Sequence, residues 1–406
     1  MKLRENYSIF RNFLTLIRNL IVNIIRAHYV KPVALHPNIF VPLVIYGHTD
    51  RSADKDFGKP KGVEHMVITP RERFFEAMHC KETDRPPVCG MTTTATVELM
   101  DHVKAWWPEA HTSGRQMAQI ALGAYEFLGL ESVRVPYCLT YEAEALGCRI
   151  DLGKRNSTPM VKSNPFKENP DVDLELMSPE EMLKIPRNKE ILEAASIIIK
   201  ERKEDLPTLL GVTGPFTIAG HLVGTENLIL WTITEPDMAK KFSGYAADYE
   251  KMWLEHVETI GIDSVQMSEP TASWDMIPPE MFDEYALPNL KKVYKPLKKT
   301  MKILHICGNM LPMLENMIAS GATACSLEEK TDPYKAVELA NKRAALVGNV
   351  GVVKPLLMGT PEDVKKAAIR SADAGFNIIS AGCGMSALIK QENVHAMVDA
   401  IVNYKK

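Results

Sequence analysis

The chain has 406 residues, of which 46% are hydrophobic and 24% are charged, as is typical of a globular protein with a large apolar core. Its formal net charge of −3 excludes the strongly basic balance expected of a nucleic-acid-binding protein. Its 7 cysteines are scattered and odd in number, which predicts reduced thiols in a cytoplasmic protein rather than a disulfide framework.

Residues 1–65 are predicted to be an N-terminal extension to the working domain, which is expected to span 66–406. Arginines interrupt the apolar stretch at 9–30, and charges within such a run argue against a membrane-spanning helix. An amphipathic helix at a membrane surface is one interpretation of this stretch. We favour the other interpretation, that the extension is spurious or dispensable, and no cleavage signal of a secretory leader is present.

From Met66 onward, short apolar runs alternate with helical segments, which is typical of β–α units around a parallel sheet. The runs are 87–90, 132–137, 208–213, 263–268, 301–307, 323–327, 345–349 and 377–381. Eight such runs in about 300 residues predict an α/β fold of the (β/α)8 TIM-barrel type. Helices are expected to begin after Thr69, Ser178 and Thr360, each followed by proline and, three residues after the cap, by an acidic residue. The long connection 138–176 is predicted to be a hairpin over the barrel mouth, acting as a lid or docking loop.

Three residues of metal-ligating types fall at the ends of these runs. His305 and Cys307 end the fifth run, and Cys383 follows the eighth. Residues i and i+2 of a strand point the same way, and the strand ends of a barrel converge on one mouth. Two thiolates and one imidazole suit zinc and leave one position open for chemistry. Alternatively, His305 is a hydrogen-bonded strand-end residue and both cysteines are small core residues, but the strand-end placement favours zinc.

Several short motifs resemble the uroporphyrinogen decarboxylase superfamily. They are Thr69-Pro70-Arg71-Glu72-Arg73-Phe74, Asp84-Arg85-Pro86-Pro87, Gly214-Pro215-Phe216-Thr217 and Gly348-Asn349. The His-x-Cys…Cys pattern, with Trp107-Pro108-Glu109-Ala110-His111 and Val133-Arg134-Val135-Pro136-Tyr137, is similar more narrowly to the methylcobamide:coenzyme M methyltransferases of methylotrophic methanogens. The resemblance covers residues 66–404 and implies a uroporphyrinogen decarboxylase-like barrel. The decarboxylases resemble one another in an arginine-rich segment that grips propionates, but segment 89–96 has no arginine here, so decarboxylation is the weaker interpretation.

The resemblance implies transfer of a methyl group from a methylated corrinoid, held on a separate corrinoid protein, to the thiol of coenzyme M. The thiolate is the nucleophile in such a reaction, and a typical thiol is mostly protonated near neutral pH. Zinc held by His305, Cys307 and Cys383 would deprotonate the bound thiol. Glu328 is expected to fill the fourth position or to orient His305; it could equally be a rim carboxylate paired with a cation, and Glu329 replaces it if the strand register is shifted by one.

Three further residues are candidates for binding substrate. Glu269 follows the fourth run, although a helix-capping role for it is favoured. Asn349 could bind the substrate sulfonate or satisfy a turn. Arg134 is the candidate cation for that sulfonate, weighed against a plain salt bridge.

Other functions remain open at this point. Alkyl transfer to another thiol such as homocysteine, a non-catalytic corrinoid- or thiol-binding protein, and tetrapyrrole decarboxylation are the alternatives. No nucleotide-binding fingerprint and no Asp-x-His-x-x-Gly corrinoid motif is present, so the corrinoid is expected in trans. The sequence does not indicate whether the methyl group comes from methanol, a methylamine or a methyl sulfide.

Overall fold

The computed structural model describes residues 68–202 and 204–405. The predictions for 1–65, including the domain boundary before Met66, lie outside the described residues and stay predictions. Within the described residues, no helix is long and apolar enough to cross a membrane.

The fold is built on parallel strands joined by helices. The strands are β1 Val133–Val135, β2 Arg149–Asp151, β3 Met160–Ser163, β4 Thr208–Thr213, β5 Ser264–Ser268, β6 Met301–His305, β7 Ala324–Leu327, β8 Ala345–Val350 and β9 Ile378–Ala381. All but β2 and β3 form one parallel sheet in the order β1-β4-β5-β6-β7-β8-β9. The prediction of parallel β–α units is confirmed.

Segment 87–90, predicted as the first strand, closes this sheet into a barrel with a single bridge rather than a full strand. Val88 pairs in parallel with Ile379 of β9. On that side Cys89 N–H donates to the Ile379 carbonyl at 2.9 Å, and on the other side Glu131 N–H donates to the Val88 carbonyl at 2.7 Å. The pairing is short because Pro86 and Pro87 have no N–H to donate. The predicted (β/α)8 barrel is therefore confirmed, with its first strand reduced to a bridge.

Helices follow the strands around the barrel. The α-helices are Pro70–Met78, Val97–Val103, Gly114–Glu126, Tyr141–Ala145, Pro179–Lys184, Pro186–Arg202, Pro215–Val223, Thr225–Thr234, Pro236–Ile260, Pro279–Met281, Leu287–Tyr294, Leu314–Ala319, Pro333–Ala340, Pro361–Ala374 and Gln391–Val402. Thr69, Ser178 and Thr360 each form a capping box, so all three predicted helix starts are confirmed.

The predicted hairpin in the long connection is also present. Strands β2 and β3 pair antiparallel, with Asp151 opposite Met160. The Met160 side chain is exposed. A role for this hairpin as a lid or docking loop stays a prediction.

The barrel interior changes character from one end to the other. Alternate residues of the strands, among them Leu209, Ile303 and Val347, pack with Phe74 and Met78 of the first helix in one apolar cluster. Since strand side chains alternate between faces, the residues two positions further along face the same interior. There β4 to β7 carry Gly211, His305 and Ser326, together with Gln266 between them, so the interior becomes polar towards the C-terminal strand ends.

The motifs at 69–74 and 84–87 supply two arginines that help to close the barrel. Glu131 accepts hydrogen bonds from Arg73 Nη1 at 2.7 Å and from Arg85 Nη1 and Nη2 at 2.7 and 2.8 Å. It also accepts one from Val88 N–H at 3.0 Å, at the point of barrel closure. Arg73 is bonded in turn to Asp84 at 2.7 and 2.8 Å. A buried carboxylate with this many donors fixes the joint between segment 87–90 and β1.

Candidate metal centre

The ends of β6 and β9 bring three soft ligands together. His305 is the last residue of β6, Cys307 lies two residues beyond it, and Cys383 lies two residues beyond β9. Cys307 Sγ lies 3.4 Å from His305 Nε2 and 3.6 Å from Cys383 Sγ. One ligand atom from each residue lies within 4.8 Å of the others, and no other group of three or more His, Cys, Asp or Glu in residues 68–202 and 204–405 does so.

These separations fit a tetrahedral zinc ion. With zinc–sulfur bonds of about 2.3 Å and zinc–nitrogen bonds of about 2.0–2.1 Å, tetrahedral geometry places two sulfurs about 3.8 Å apart and a sulfur and nitrogen about 3.6 Å apart. The observed sulfur–sulfur and sulfur–nitrogen distances of 3.6 and 3.4 Å are close to these edges. The donor set therefore fits the metal in both chemistry and spacing, and it leaves one position open.

The contacts among the three groups favour a thiolate at Cys383. The pKa of Cys383 lies well below its usual range because the Cys307 thiol and the His305 ring both hydrogen-bond to its thiolate, which outweighs the effect of burial. The pKa of Cys307 is raised because its thiol donates to Cys383 and because it is buried. Burial by itself lowers the pKa of His305, but the contact with the Cys383 thiolate outweighs it and the pKa is raised. The centre thus stabilises a thiolate even before a cation is considered.

The loop that carries Cys383 is held by the segment after the barrel bridge. Thr92 Oγ1 donates to the Cys383 carbonyl at 2.8 Å, and Met385 N–H donates to the Thr93 carbonyl at 2.8 Å. Both threonines belong to segment 89–96, which contains no arginine. Its threonines here fix a ligand-bearing loop.

Glu328 follows β7 at the edge of the three-ligand group, not within it. Burial raises its pKa, and the Cys383 thiolate adds to that effect. Its carboxylate lies 3.8 Å from Lys330 Nζ, a distance at the limit of an ion pair. Its role as the fourth ligand or as an orienting group stays a prediction.

Glu269 is engaged in capping a helix. Its carboxylate accepts hydrogen bonds from Phe216 N–H at 3.0 Å and Thr217 N–H at 2.6 Å, at the start of helix Pro215–Val223, and also from the Thr217 hydroxyl. Burial raises the pKa of Glu269 to about 7, against the effect of these donors. Its placement favours the capping alternative over direct contact with substrate.

Asn349 and Arg134 are likewise bonded within the protein. Asn349 Nδ2 donates to the carbonyls of Glu328 at 3.2 Å and Thr331 at 2.9 Å. The amide thus satisfies backbone carbonyls of the turn after β7, as the alternative interpretation predicted. Arg134 Nε and Nη2 donate to Gln266 Oε1 at 3.1 and 2.9 Å, and Nη1 donates to the Pro136 carbonyl. Burial lowers the pKa of Arg134 to about 10, and among the ion pairs of the described residues it has none. The salt bridge considered for Arg134 is therefore replaced by bonds to neutral acceptors.

Sequence reasoning missed two residues of the centre. Ser326 Oγ lies 3.1 Å from His305 Nδ1, and Thr92 holds the Cys383 loop. Ser326 has no motif of its own, and only the register that pairs His305 with Ser326 reveals it.

Comparison with known proteins agrees with the fold. The family model "Uroporphyrinogen decarboxylase (URO-D)" matches residues 69–404. The methylcobamide:CoM methyltransferase MtaA of Methanosarcina barkeri strain Fusaro is 34% identical over 338 residues, covering 83% of this chain and 98% of that protein. The methylcobamide:CoM methyltransferase MtbA of Methanosarcina mazei is 34% identical over 342 residues, with coverage of 83% and 98%. A solved methyltransferase from Methanosarcina mazei superposes with a TM-score of 0.78 at 34% identity, covering 82% of this chain and 98% of that one.

Proposed function

The chain belongs to the uroporphyrinogen decarboxylase family and is a methyltransferase, and we propose that it transfers a methyl group from a methylated corrinoid to the thiol of coenzyme M. The names of its relatives, methylcobamide:CoM methyltransferases, supply both substrates of this proposal. The observation that carries it is the convergence of His305 Nε2 with the sulfurs of Cys307 and Cys383 at the spacing of a tetrahedral centre. Such a centre suits a methyl acceptor that is a thiol, because the thiolate is the reactive form and a metal ion stabilises it.

His305, Cys307 and Cys383 would hold a zinc ion. Bound there, zinc would supply Lewis-acid stabilisation of the thiolate form of the substrate. The thiolates of Cys307 and Cys383 would offset the charge of the cation, so that a substrate sulfur would keep electron density for attack on a methyl group. His305 would hold the zinc ion from inside the barrel, where the histidine side chain is buried. Glu328 is proposed to occupy or border the fourth position when substrate is absent.

Arg134 is proposed as the cation that attracts the anionic end of coenzyme M. It is the buried guanidinium of the polar interior, and its present acceptors are a neutral amide and a carbonyl. A sulfonate would be a better acceptor for such a cation than either. Glu269 and Asn349, which were candidates for direct contact, are proposed to act on substrate binding indirectly. Glu269 would do so by fixing the helix start after β4, and Asn349 by fixing the segment after β7.

The methyl donor is proposed to arrive on a separate corrinoid protein that docks at the C-terminal ends of the strands, in the cytoplasm. A corrinoid is too large to reach the centre except through the barrel mouth, where catalytic residues of this fold collect. The family context of methylotrophic methanogenesis supports this partner. Measuring methyl transfer from each methylated corrinoid protein in turn would identify the one that docks.

The test combines metal content with turnover. Cys307→Ala and Cys383→Ala are expected to lose stoichiometric zinc and to stop the loss of methylcobalt absorbance when methylcobalamin and coenzyme M are mixed with the enzyme. Cys325→Ala is the matched control, because Cys325 is a buried cysteine of β7 that packs in the outer core. If both site variants keep zinc and activity, the centre lies elsewhere. Turnover with homocysteine but not coenzyme M would show that the acceptor is wrong.

A further inference from the structure

The two ring nitrogens of His305 face different partners. Nε2 lies 3.4 Å from Cys307 Sγ, on the side of the three ligands. Nδ1 lies 3.1 Å from Ser326 Oγ, inside the barrel. We propose that Ser326 is a positioning residue, whose hydroxyl accepts a hydrogen bond from His305 Nδ1–H and thereby presents Nε2 to a divalent metal ion. This inference rests on the metal centre of the proposed function.

The register between β6 and β7 places Ser326 beside the ring of His305. His305 on β6 pairs directly with Ser326 on β7. Both side chains face the barrel interior, and their exposed fractions are 2% and 0%. Glu328 lies two residues beyond Ser326 along the chain, while β7 itself ends at Leu327. One short segment thus carries both the partner of the histidine and Glu328, the carboxylate proposed for the fourth position.

A neutral imidazole has one N–H and one lone pair, and only the nitrogen with the lone pair can bind a metal ion. A hydrogen-bond acceptor at Nδ1 keeps the proton there and leaves the Nε2 lone pair free. The same contact fixes the angle of the ring, since Nδ1 and Nε2 are held from opposite sides. Partners of this kind generally change metal affinity by about 10- to 100-fold when they are removed.

The barrel offers a matched control for the loss of a hydroxyl group. Ser380 of β9 is also fully buried, but its Oγ has no hydrogen-bond partner among the described residues. Ser380→Ala therefore removes the same atom from another fully buried strand position without removing a hydrogen bond to a ligand residue. The difference between Ser326→Ala and Ser380→Ala isolates the bond to His305.

The experiment measures Zn²⁺ affinity of each purified full-length variant by competition with a chromophoric chelator. Ser326→Ala is expected to raise the zinc dissociation constant by about 10- to 100-fold, whereas Ser380→Ala leaves it within about twofold of the wild type. Ser326→Thr keeps the hydroxyl and is expected to restore tight binding. The visible spectrum of the Co²⁺-loaded protein, which reports ligand geometry, should be altered in Ser326→Ala and normal in Ser326→Thr.

Wild-type zinc affinity in Ser326→Ala would overturn the proposal. Should that variant fail to fold, Ser326→Thr and Ser326→Val give the same comparison, because they have nearly equal volume and differ in the hydroxyl group. Equal zinc affinity in those two variants would also overturn it. The readout does not depend on methyl transfer, so an enzyme whose zinc affinity depends on Ser326 but that leaves coenzyme M unmethylated refutes the proposed function alone.

Discussion

Replacing Gly211 by alanine is expected to destabilise the protein by displacing the guanidinium of Arg134. Gly211 lies on β4, between the strand that carries Arg134 and the strand that carries Gln266. The Arg134 side chain crosses over this glycine to reach the Gln266 amide oxygen. A glycine is required there because the guanidinium occupies the space of a side chain.

The magnitude follows from the distances. A Cβ on Gly211 would lie 1.9 Å from Arg134 Nη2 and 2.3 Å from its Cζ. Ordinary contacts need about 3.5 Å, so the guanidinium would have to move by roughly 1.5 Å. That movement breaks the hydrogen bonds of 3.1 and 2.9 Å to Gln266 Oε1. Bonds from a charged donor contribute about 1.5–3 kcal/mol each, so we expect a loss of about 3 kcal/mol or more in the free energy of unfolding.

Urea unfolding of matched variants is the assay. Gly244→Ala is the control, since a Cβ there meets nothing within 4 Å and Gly244 lies in helix Pro236–Ile260. It should stabilise the protein by up to about 1 kcal/mol, the intrinsic preference of a helix for alanine. In an Arg134→Ala background, Gly211→Ala should cost far less, because the clashing group is gone.

Two results would refute this reasoning. A Gly211→Ala protein with the unfolding free energy of the wild type would show that the guanidinium does not occupy this space. An equal loss with and without Arg134 would show that the glycine is needed for another reason.

Three more predictions concern single polar groups. Glu131→Ala, which strips Arg73 of its buried partner, is expected to cost about 3–5 kcal/mol in urea unfolding, and a loss below 1 kcal/mol would contradict this. Since burial raises the pKa of Glu269 from 4.5 to about 7, the native state binds more protons than the unfolded state between these values. Wild-type stability should therefore fall, relative to Glu269→Gln, as pH rises from 5 to 8, and parallel pH profiles in chemical unfolding would exclude it. Thr92→Val, which removes the 2.8 Å bond to the Cys383 carbonyl, should weaken zinc retention in chelator competition, and unchanged retention would mean that the loop is held by other bonds.

The fold could be predicted because the strand and helix signals are local. Apolar runs bounded by turns marked the strands, and capping boxes at Thr69, Ser178 and Thr360 marked helix starts. The errors lie at strand ends. The fifth run was predicted to extend to 307, but β6 ends at His305, and the chain turns at Gly308 with φ of 91°.

The ligands of the centre could be predicted, but their supports could not. His305, Cys307 and Cys383 follow strand ends, and a barrel brings strand ends to one mouth whatever its exact register. Ser326 supports His305 only through the register of two strands, and Thr92 meets Cys383 across 291 residues of chain. The capping by Glu269 likewise depends on a helix 52 residues away in sequence. Such pairings follow from tertiary geometry, which residue spacing alone does not encode.

The polar side chains inside the barrel cost free energy to bury, and their hydrogen bonds offset that cost. Buried polar groups destabilise a protein unless each one finds a partner. Here Arg134 donates to Gln266, and Gln266 Nε2 donates to Ser268 Oγ at 2.8 Å. Ser268 is paired with His305 in the sheet. These side-chain bonds run from Arg134 on β1 to Ser268 on β5, and β5 is the strand that pairs with β6, which ends at His305. They therefore satisfy the polar groups of the interior beside the ligand strand and hold that side of the barrel in one arrangement.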